Sequence, residues 1–237
     1  MCTVSFYQDH EKVIITSNRD EKIHRPLAEM PQFVNHNGKK IVFPKDPQAG
    51  GTWFAVDEYG AAFVLLNGAA TSHTPTPPYR KSRGLILLDL ASATDFEEAW
   101  HQIDLHQIEP FTVIVFQKNK LLENRWNGGE KTCVSIAPFS PAIWSSSTLY
   151  TPEIIQQRKD WFHDFLTQNQ FNLEAKKLID FHTTTQQNDT ENGLIIKRKN
   201  LTQTKNVTQF VYHSTEFTLL HLDLINGKRA AITHSML

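Results

Sequence analysis

Sulfur is scarce in this sequence: 237 residues include two cysteines, Cys2 and Cys133. A disulfide framework is excluded, and no Cys-x-x-Cys or Cys/His spacing suits structural zinc, so neither a metal nor another cofactor is expected. Cysteine usage this low fits a reducing, cytoplasmic setting. An excess of charge of one sign is also missing, since 24 Lys+Arg stand against 25 Asp+Glu for a formal net charge of −1. That balance gives no global drive toward nucleic acid or an anionic membrane. Long hydrophobic runs are lacking too. The stretch from Leu85 to Leu90 falls far short of the ~20 residues that span a bilayer. The start, Met1 to His10, turns polar too soon to supply the apolar core of a secretory signal. The expectation is one domain over residues 1–237, with no nucleic-acid partner and no membrane span. A chain of this length buries roughly 70–75% of its unfolded surface without staples.

What is present is periodic. Val4 and Phe6, Val13 and Ile15, and Trp53 and Phe54 leading to Ala61, Phe63 and Leu65 alternate as strands do, with polar turns at Gln8 to Glu11 and Asp57 to Gly60. Pairing Tyr7 with Lys12 sets Phe6 against Val13 and Val4 against Ile15, an all-apolar match. The loop His73 to Pro78 holds three prolines and cannot extend a strand. Leu85, Leu88 and Leu90, then Phe96, Ala99, Trp100 and Ile103, recur at helical spacing, with Thr94-x-x-Glu97 as a capping box. Phe111 to Phe116, Leu121 to Trp126 and Thr132 to Ile136 read as a meander, within which Cys133 is expected to be an inert core thiol. Thr151-Pro152-Glu153 opens a second helical pair, with Thr151 as cap and Pro152 at the first helical position. The polar stretch Thr183 to Asn192 reads as a mobile surface loop. Strands return over Val207 to Tyr212, Phe217 to Ile225 and Arg229 to Thr233, the last two joined at Asn226-Gly227. Sheets and helices each bury one face, so this order predicts an α+β fold of two antiparallel sheets, each covered by a helical pair.

The chemistry concentrates at the start. Removal of Met1 would leave Cys2 with a thiol and a free α-amine on one residue, with reference pKa values of about 8.5 and about 8, a self-contained nucleophile and base. Taken alone, such a cysteine reads first as a small core residue opening a strand. The hairpin register above sets Cys2 opposite Ser17, so Asn18-Arg19-Asp20-Glu21 emerges beside it. Arg19 could depress the thiol pKa and Asp20 could hold the amine. By themselves Arg19 and Asp20 could also be a solvated ion pair at a strand end.

Met1-Cys2-Thr3, Ser17-Asn18-Arg19-Asp20-Glu21 with Arg25-Pro26, Gly50-Gly51-Thr52-Trp53, Leu66-Asn67 and Ser82-Arg83-Gly84 follow the order seen in the Asn-Arg-Asp-Glu (NRDE) family. The chain resembles that family most densely over residues 1–90. The resemblance implies the N-terminal-nucleophile hydrolase fold, a four-layer αββα sandwich similar to that of penicillin acylases and bile-salt hydrolases. It implies that Cys2 attacks an amide carbonyl while its own amine moves the proton, with Arg19 and Asp20 organising the amine and the oxyanion. Pairing Val56 with Ala61 sets Asn67 across from Gly50, which makes Asn67 the candidate oxyanion donor. Ser17, Asn18 and Ser146 are candidate substrate contacts.

The chain departs from the resembling hydrolases at two places. Within Trp144 to Tyr150, Ser146 stands where an Asn donor is expected, and Lys205-Asn206-Val207-Thr208-Gln209 occupies the place of a late arginine. Two functions follow from the resemblance. One is a Cys2-dependent hydrolase of a non-peptide C–N amide bond. The other is a carrier or chaperone of haem or an acyl-CoA-type lipid, as proposed for eukaryotic relatives. The ligand is thus expected to be a small-molecule amide or an acyl lipid, with haem as a further candidate. No haem-ligating Cys-x-x-Cys-His or Cys-Pro pair is present. His101 and His106 are five apart and share no helical face, and Lys197-Arg198-Lys199 reads as a solvated charge cluster.

Overall fold

A computed structural model describes residues 3–199 and 201–236, so Cys2 lies outside the described residues. In chain order the elements begin with β1 (Thr3–Gln8), β2 (Val13–Lys22), β3 (Glu29–His36), β4 (Lys39–Lys45), β5 (Phe54–Asp57) and β6 (Ala62–Asn67). Then come α1 (Arg83–Ser92), α2 (Phe96–Gln102), β7 (Phe111–Gln117), β8 (Lys120–Trp126), β9 (Lys131–Ile136) and β10 (Ala142–Ser145). The remainder is α3 (Pro152–Gln168), α4 (Ala175–Thr184), β11 (Thr202–His213), β12 (Glu216–Asp223) and β13 (Arg229–Ser235). No helix among the described residues is long and apolar enough to cross a membrane. The chain divides into two compact units, one made of residues up to Arg25 with Phe139–Ser235, the other built on Pro26–Pro138.

The first unit is an antiparallel sheet in the order β10-β1-β2-β11-β12-β13, packed against α3 and α4. Tyr7, Ile14 and Ile143 from the strands meet Phe162 and Leu166 of α3, Leu178 and Phe181 of α4, and Leu173 and Leu194. Each such side chain contributes about 1.5–3 kcal/mol on burial. The second unit is an antiparallel sheet in the order β3-β4-β5-β6-β7-β8-β9 with α1 packed on β4, β5 and β6. Central β6 and β7 are apolar on both faces, whereas edge strand β9 is open to solvent. The fold is the expected α+β pair of antiparallel sheets, each bearing helices.

Both early hairpin registers differ from expectation. The first pairs Val4 with Ser17, Phe6 with Ile15 and Tyr7 with Ile14, a shift of two residues. Asp9 causes it: Oδ1 accepts from Glu11 N and Lys12 N at 2.9 Å each, and this lengthens the turn. A two-residue shift leaves every side chain on its original face, so the apolar match could not detect it. The second pairs Val56 with Ala62, because Asp57 Oδ1 accepts from Tyr59 N and Ala61 N and holds a longer loop. Asn67 is consequently not set against Gly50; its ladder partner is Phe111 on β7.

Other differences are local. Asp95 rather than Thr94 caps α2, accepting from Glu98 N at 3.0 Å. Thr151 and Pro152 open α3 as expected. The Thr183 to Asn192 stretch is tied down, with α4 running to Thr184 and Asp189 Oδ1 bonding Glu191 N and Asn192 N. Cys133 is exposed, since its strand is a sheet edge.

Candidate active site

Strand β2 changes character along its length. Val13 to Ile15 is apolar, but Thr16, Ser17, Asn18, Arg19 and Asp20 are polar and every one of them is buried. Burying a run of polar side chains is unfavourable unless partners meet them, so their bonds define what the strand is for.

Thr16, Asn18 and Asp20 face the helices. Asn18 Nδ2 donates to the carbonyls of His182 at 3.0 Å and Leu194 at 2.7 Å, while Asn18 Oδ1 accepts from His182 Nδ1 at 2.8 Å. Ser5 Oγ lies 2.7 Å from His182 Nε2 and donates to it. Burial pushes His182 down to about 3, with the Arg158 charge adding to the effect, so the ring is neutral and keeps this tautomer. Asn18 was expected to touch substrate. Its amide is spent instead on tying β2 to the end of α4.

Asp20 is gripped from two sides. Tyr150 Oη donates to Oδ2 at 2.8 Å and Thr204 Oγ1 donates to Oδ1 at 2.5 Å. The Tyr150 ring lies 3.6 Å beneath the guanidinium of Arg158, which is fully buried on α3. Arg158 donates to Thr3 Oγ1 at 2.5 Å and to the carbonyls of Gly193 at 2.6 Å and Asn192 at 3.0 Å. Ser146 directly follows β10, with its hydroxyl 2.9 Å from Thr148 Oγ1 and its carbonyl accepting from Tyr150 N at 3.1 Å, which positions the tyrosine.

Ser17, Arg19 and Glu21 occupy the opposite face. Arg19 donates to Glu21 Oε2 at 3.4 Å. Burial raises the Glu21 pKa, but the positive charges around it, Arg19 and Arg25 among them, bring it below the usual carboxylate range. On the neighbouring strand a bulge at Lys205 sets Thr204 opposite Asp20 and Asn206 opposite Arg19. Thr204 and Asn206 would otherwise share a face, whereas Asp20 and Arg19 do not, so the extra residue serves both faces of β2. Lys205 Nζ donates to the Ile23 and Arg25 carbonyls, and burial, together with the Arg19 charge, lowers its pKa. The same face continues onto Thr208, whose Oγ1 is 2.9 Å from His221 Nδ1. Burial brings His221 to about 4.

In the second unit Asn67 ends β6, half-buried. The motifs around it are mutually packed. A Cβ on Gly51 would lie 2.4 Å from the Gly84 carbonyl carbon, and Thr52 N donates to Gly84 O at 3.3 Å. Ser82 caps α1, and Arg83 bonds Pro110 O at 3.1 Å and Glu109 at 2.9 Å, holding the segment before β7. A cleft of about 640 Å³ lies by the proline-rich loop, lined by His73, Thr76, Pro78, Tyr79, Ile108 and Pro110. No group of three His, Cys, Asp or Glu side chains among the described residues could hold a metal.

The structure thus brings Ser17, Asn18, Arg19 and Asp20 together with Tyr150, Arg158, Thr204 and Asn206, none of which was assigned a role from the sequence. Arg158 had one readable sign: a charge on the helical stripe that continues at Phe162 and Leu166.

A family model described as Transport and Golgi organisation 2 matches residues 1–223. Among solved structures, a Caenorhabditis elegans ortholog of N-acylethanolamine-hydrolyzing acid amidase is 14% identical, covering 88% of this chain and 92% of its own, with a TM-score of 0.60. A variant of conjugated bile acid hydrolase from Clostridium perfringens is 9% identical over 98% of this chain and 92% of its own, with a TM-score of 0.58. Another mutant of that hydrolase is 9% identical over 99% and 97%, with a TM-score of 0.53. No curated protein sequence matches. Identities this low speak for fold and leave activity to the site. The chain has the fold of the N-terminal-nucleophile hydrolases, and it belongs to the Transport and Golgi organisation 2 family, the Asn-Arg-Asp-Glu family whose motifs it carries.

Proposed function

We propose that this protein is an N-terminal-cysteine hydrolase of a non-peptide C–N amide bond. The observation that carries the reading is the buried Asp20, fixed by Tyr150 and Thr204, next to buried Arg19 on β2. The described part of β1 begins at Thr3, paired with Asn18, and Cys2 is covalently the next residue back. The fold likeness to amidases supports an amide substrate.

In the proposed reaction the α-amine of Cys2 takes the thiol proton and the thiolate forms a C–S bond to the amide carbonyl. The oxyanion collapses and breaks the C–N bond, and the leaving amine takes the proton back from the α-ammonium. Water then attacks the thioester, giving its proton to the α-amine, and the C–S bond breaks to release the acid. Asp20 orients the ammonium and Arg19 favours the thiolate.

A second reading, a carrier of an acyl lipid or haem, is favoured by the cleft beside the proline-rich loop, which has apolar wall and lies in the other unit. Cys2→Ala and Cys2→Ser variants separate the two. They are to be screened on N-acyl amides, acyl amino acids and acyl thioesters, beside titrations with haem and long-chain acyl-CoA. A hydrolase loses turnover in Cys2→Ala while still binding substrate; a carrier is indifferent to the change. Absence of any acyl turnover, with equal ligand affinity in both proteins, would replace the first reading by the second.

A further inference from the structure

Three buried side-chain amides on β2 and β11 invite comparison. Asn18 is bonded at both ends, and Gln209 Nε2 donates to Thr16 Oγ1 and to Ala175 O at 2.9 Å each. Asn206 is 1% exposed, and neither its Nδ2 nor its Oδ1 has a partner. Ser17 Oγ, on the same face of the neighbouring strand and one step along, is buried and unpaired as well. Buried polar groups are nearly always paired, and the ones that are not call for a reason.

The charges around Asn206 balance, because the Arg19 and Lys205 cations stand against Glu21 and Asp223. Arg19 opposite it on β2 faces Glu21, and Asp223 stands opposite on β12 with Oδ1 engaged by Ile225 N and Asn226 N. A neutral ligand group suits this face better than an anion. Asn206 offers a donor and an acceptor together, and Ser17 can serve as either. A ligand that satisfies all of them must itself carry an acceptor and a donor close together, as an amide linkage does. An ester has the carbonyl without the N–H, and an acyl chain has neither.

We infer that Asn206, with Ser17 beside it, binds the amide linkage of the ligand: the carbonyl oxygen accepts from Asn206 Nδ2, and the N–H donates to Asn206 Oδ1 or the Ser17 hydroxyl. This rests on the amide reading above and names the residues that make it selective. It also gives the Lys205 bulge a purpose, since the bulge turns Asn206 onto the face of Arg19.

The test has two arms. Asn206→Leu keeps the volume and removes the unpaired groups, so the ligand-free protein should melt roughly 2–4 °C higher. Ser17→Ala, which removes one oxygen, should melt no lower than wild type. A fall in either melting temperature overturns the inference, because it would mean the side chain is bonded in the resting fold. In the second arm, the Cys2→Ala protein is titrated with N-dodecanoylethanolamine and with the ester in which oxygen replaces the N–H. The amide should bind at least tenfold tighter, and Asn206→Leu should erase the preference. Equal binding, or binding of neither, overturns it. Turnover surviving Cys2→Ala would instead defeat the nucleophile assignment while leaving the melting shifts and the amide preference standing.

Discussion

The guanidinium of Arg158 lies 3.6 Å over the ring of Tyr150, whose hydroxyl donates to Asp20 at 2.8 Å. A helix charge thereby sets a strand carboxylate through an aromatic ring. Arg158 is fully buried, and its hydrogen bonds end on hydroxyls and carbonyls. Arg158→Met leaves those acceptors unpaired, at about 1–3 kcal/mol for each one left buried without a partner, and the loss should be read as a lower denaturant midpoint with unchanged slope. Arg158→Lys should not restore it, because a point charge can neither stack on the ring nor fork between two carbonyls.

Tyr150→Phe removes the hydroxyl that holds Asp20. It removes one charge-assisted hydrogen bond, so stability should fall by about 1.5–3 kcal/mol. Cys2-dependent turnover should fall in kcat more than in KM, since the carboxylate is loosened while the ligand face of β2 is kept. A rise in KM alone would show that Tyr150 touches the ligand and does not act through Asp20.

Buried histidines make stability fall in mild acid. His182 is brought to about 3 and His221 to about 4 from an ordinary value of 6.5. Between those values the unfolded chain binds protons that the native one refuses, so unfolding becomes easier as pH falls. The stabilising difference is complete above about 6.5 and is lost on descending toward 4 and 3. Melting temperatures from pH 8 to pH 4 should decline for wild type and less steeply for His182→Gln. Parallel curves would mean that His182 takes up its proton without unfolding.

How far the sequence could be read depended on whether the information was local. The apolar runs of β6 and β7 and the cap Thr151 lie within a few residues of what they determine, and these elements appear where the pattern put them. β3 and β4 went unread, because β3 is a mostly exposed edge strand with weak alternation, although Asn37-Gly38, both at positive φ, is a good hairpin turn. At the site, Arg19 and Asp20 were visible as a short motif. The partners of Asp20, Tyr150 and Thr204, come from 130 and 184 residues away, and no local pattern links them. Asn206 was passed over because the bulge that turns it toward Arg19 has no sequence signature.

The paired glycine motifs have a packing explanation. Cβ atoms added at Gly51 and Gly84 would meet opposing backbone at 2.4 and 2.7 Å. Gly51→Ala must therefore push α1 away from the segment leading into β5, and should cost several kcal/mol, on the order of the severest single substitutions. Its folded fraction should keep the amide-over-ester preference, because Ser17 and Asn206 lie in the other unit. Loss of that preference at full stability would give the glycine a direct part in binding.

The two cysteines should differ sharply in reactivity. Cys133 is exposed on edge strand β9, but burial of its sulfur, followed by the nearby Glu97 charge, raises its pKa, so little of it is thiolate near neutral pH. Exposure alone would make it the faster thiol, since access helps any reagent. If Cys2 works as proposed, its own amine and Arg19 favour the thiolate, and reactivity follows thiolate content more closely than access. Protein from its native host should therefore lack Met1 by intact mass. Peptide mapping after brief iodoacetamide treatment at pH 7 should find Cys2 alkylated well before Cys133, with the gap closing as pH rises toward 10 and Cys133 ionises. Faster labelling of Cys133 at pH 7, or uniform retention of Met1, would remove the N-terminal nucleophile and leave Arg19 and Asp20 as parts of a binding face.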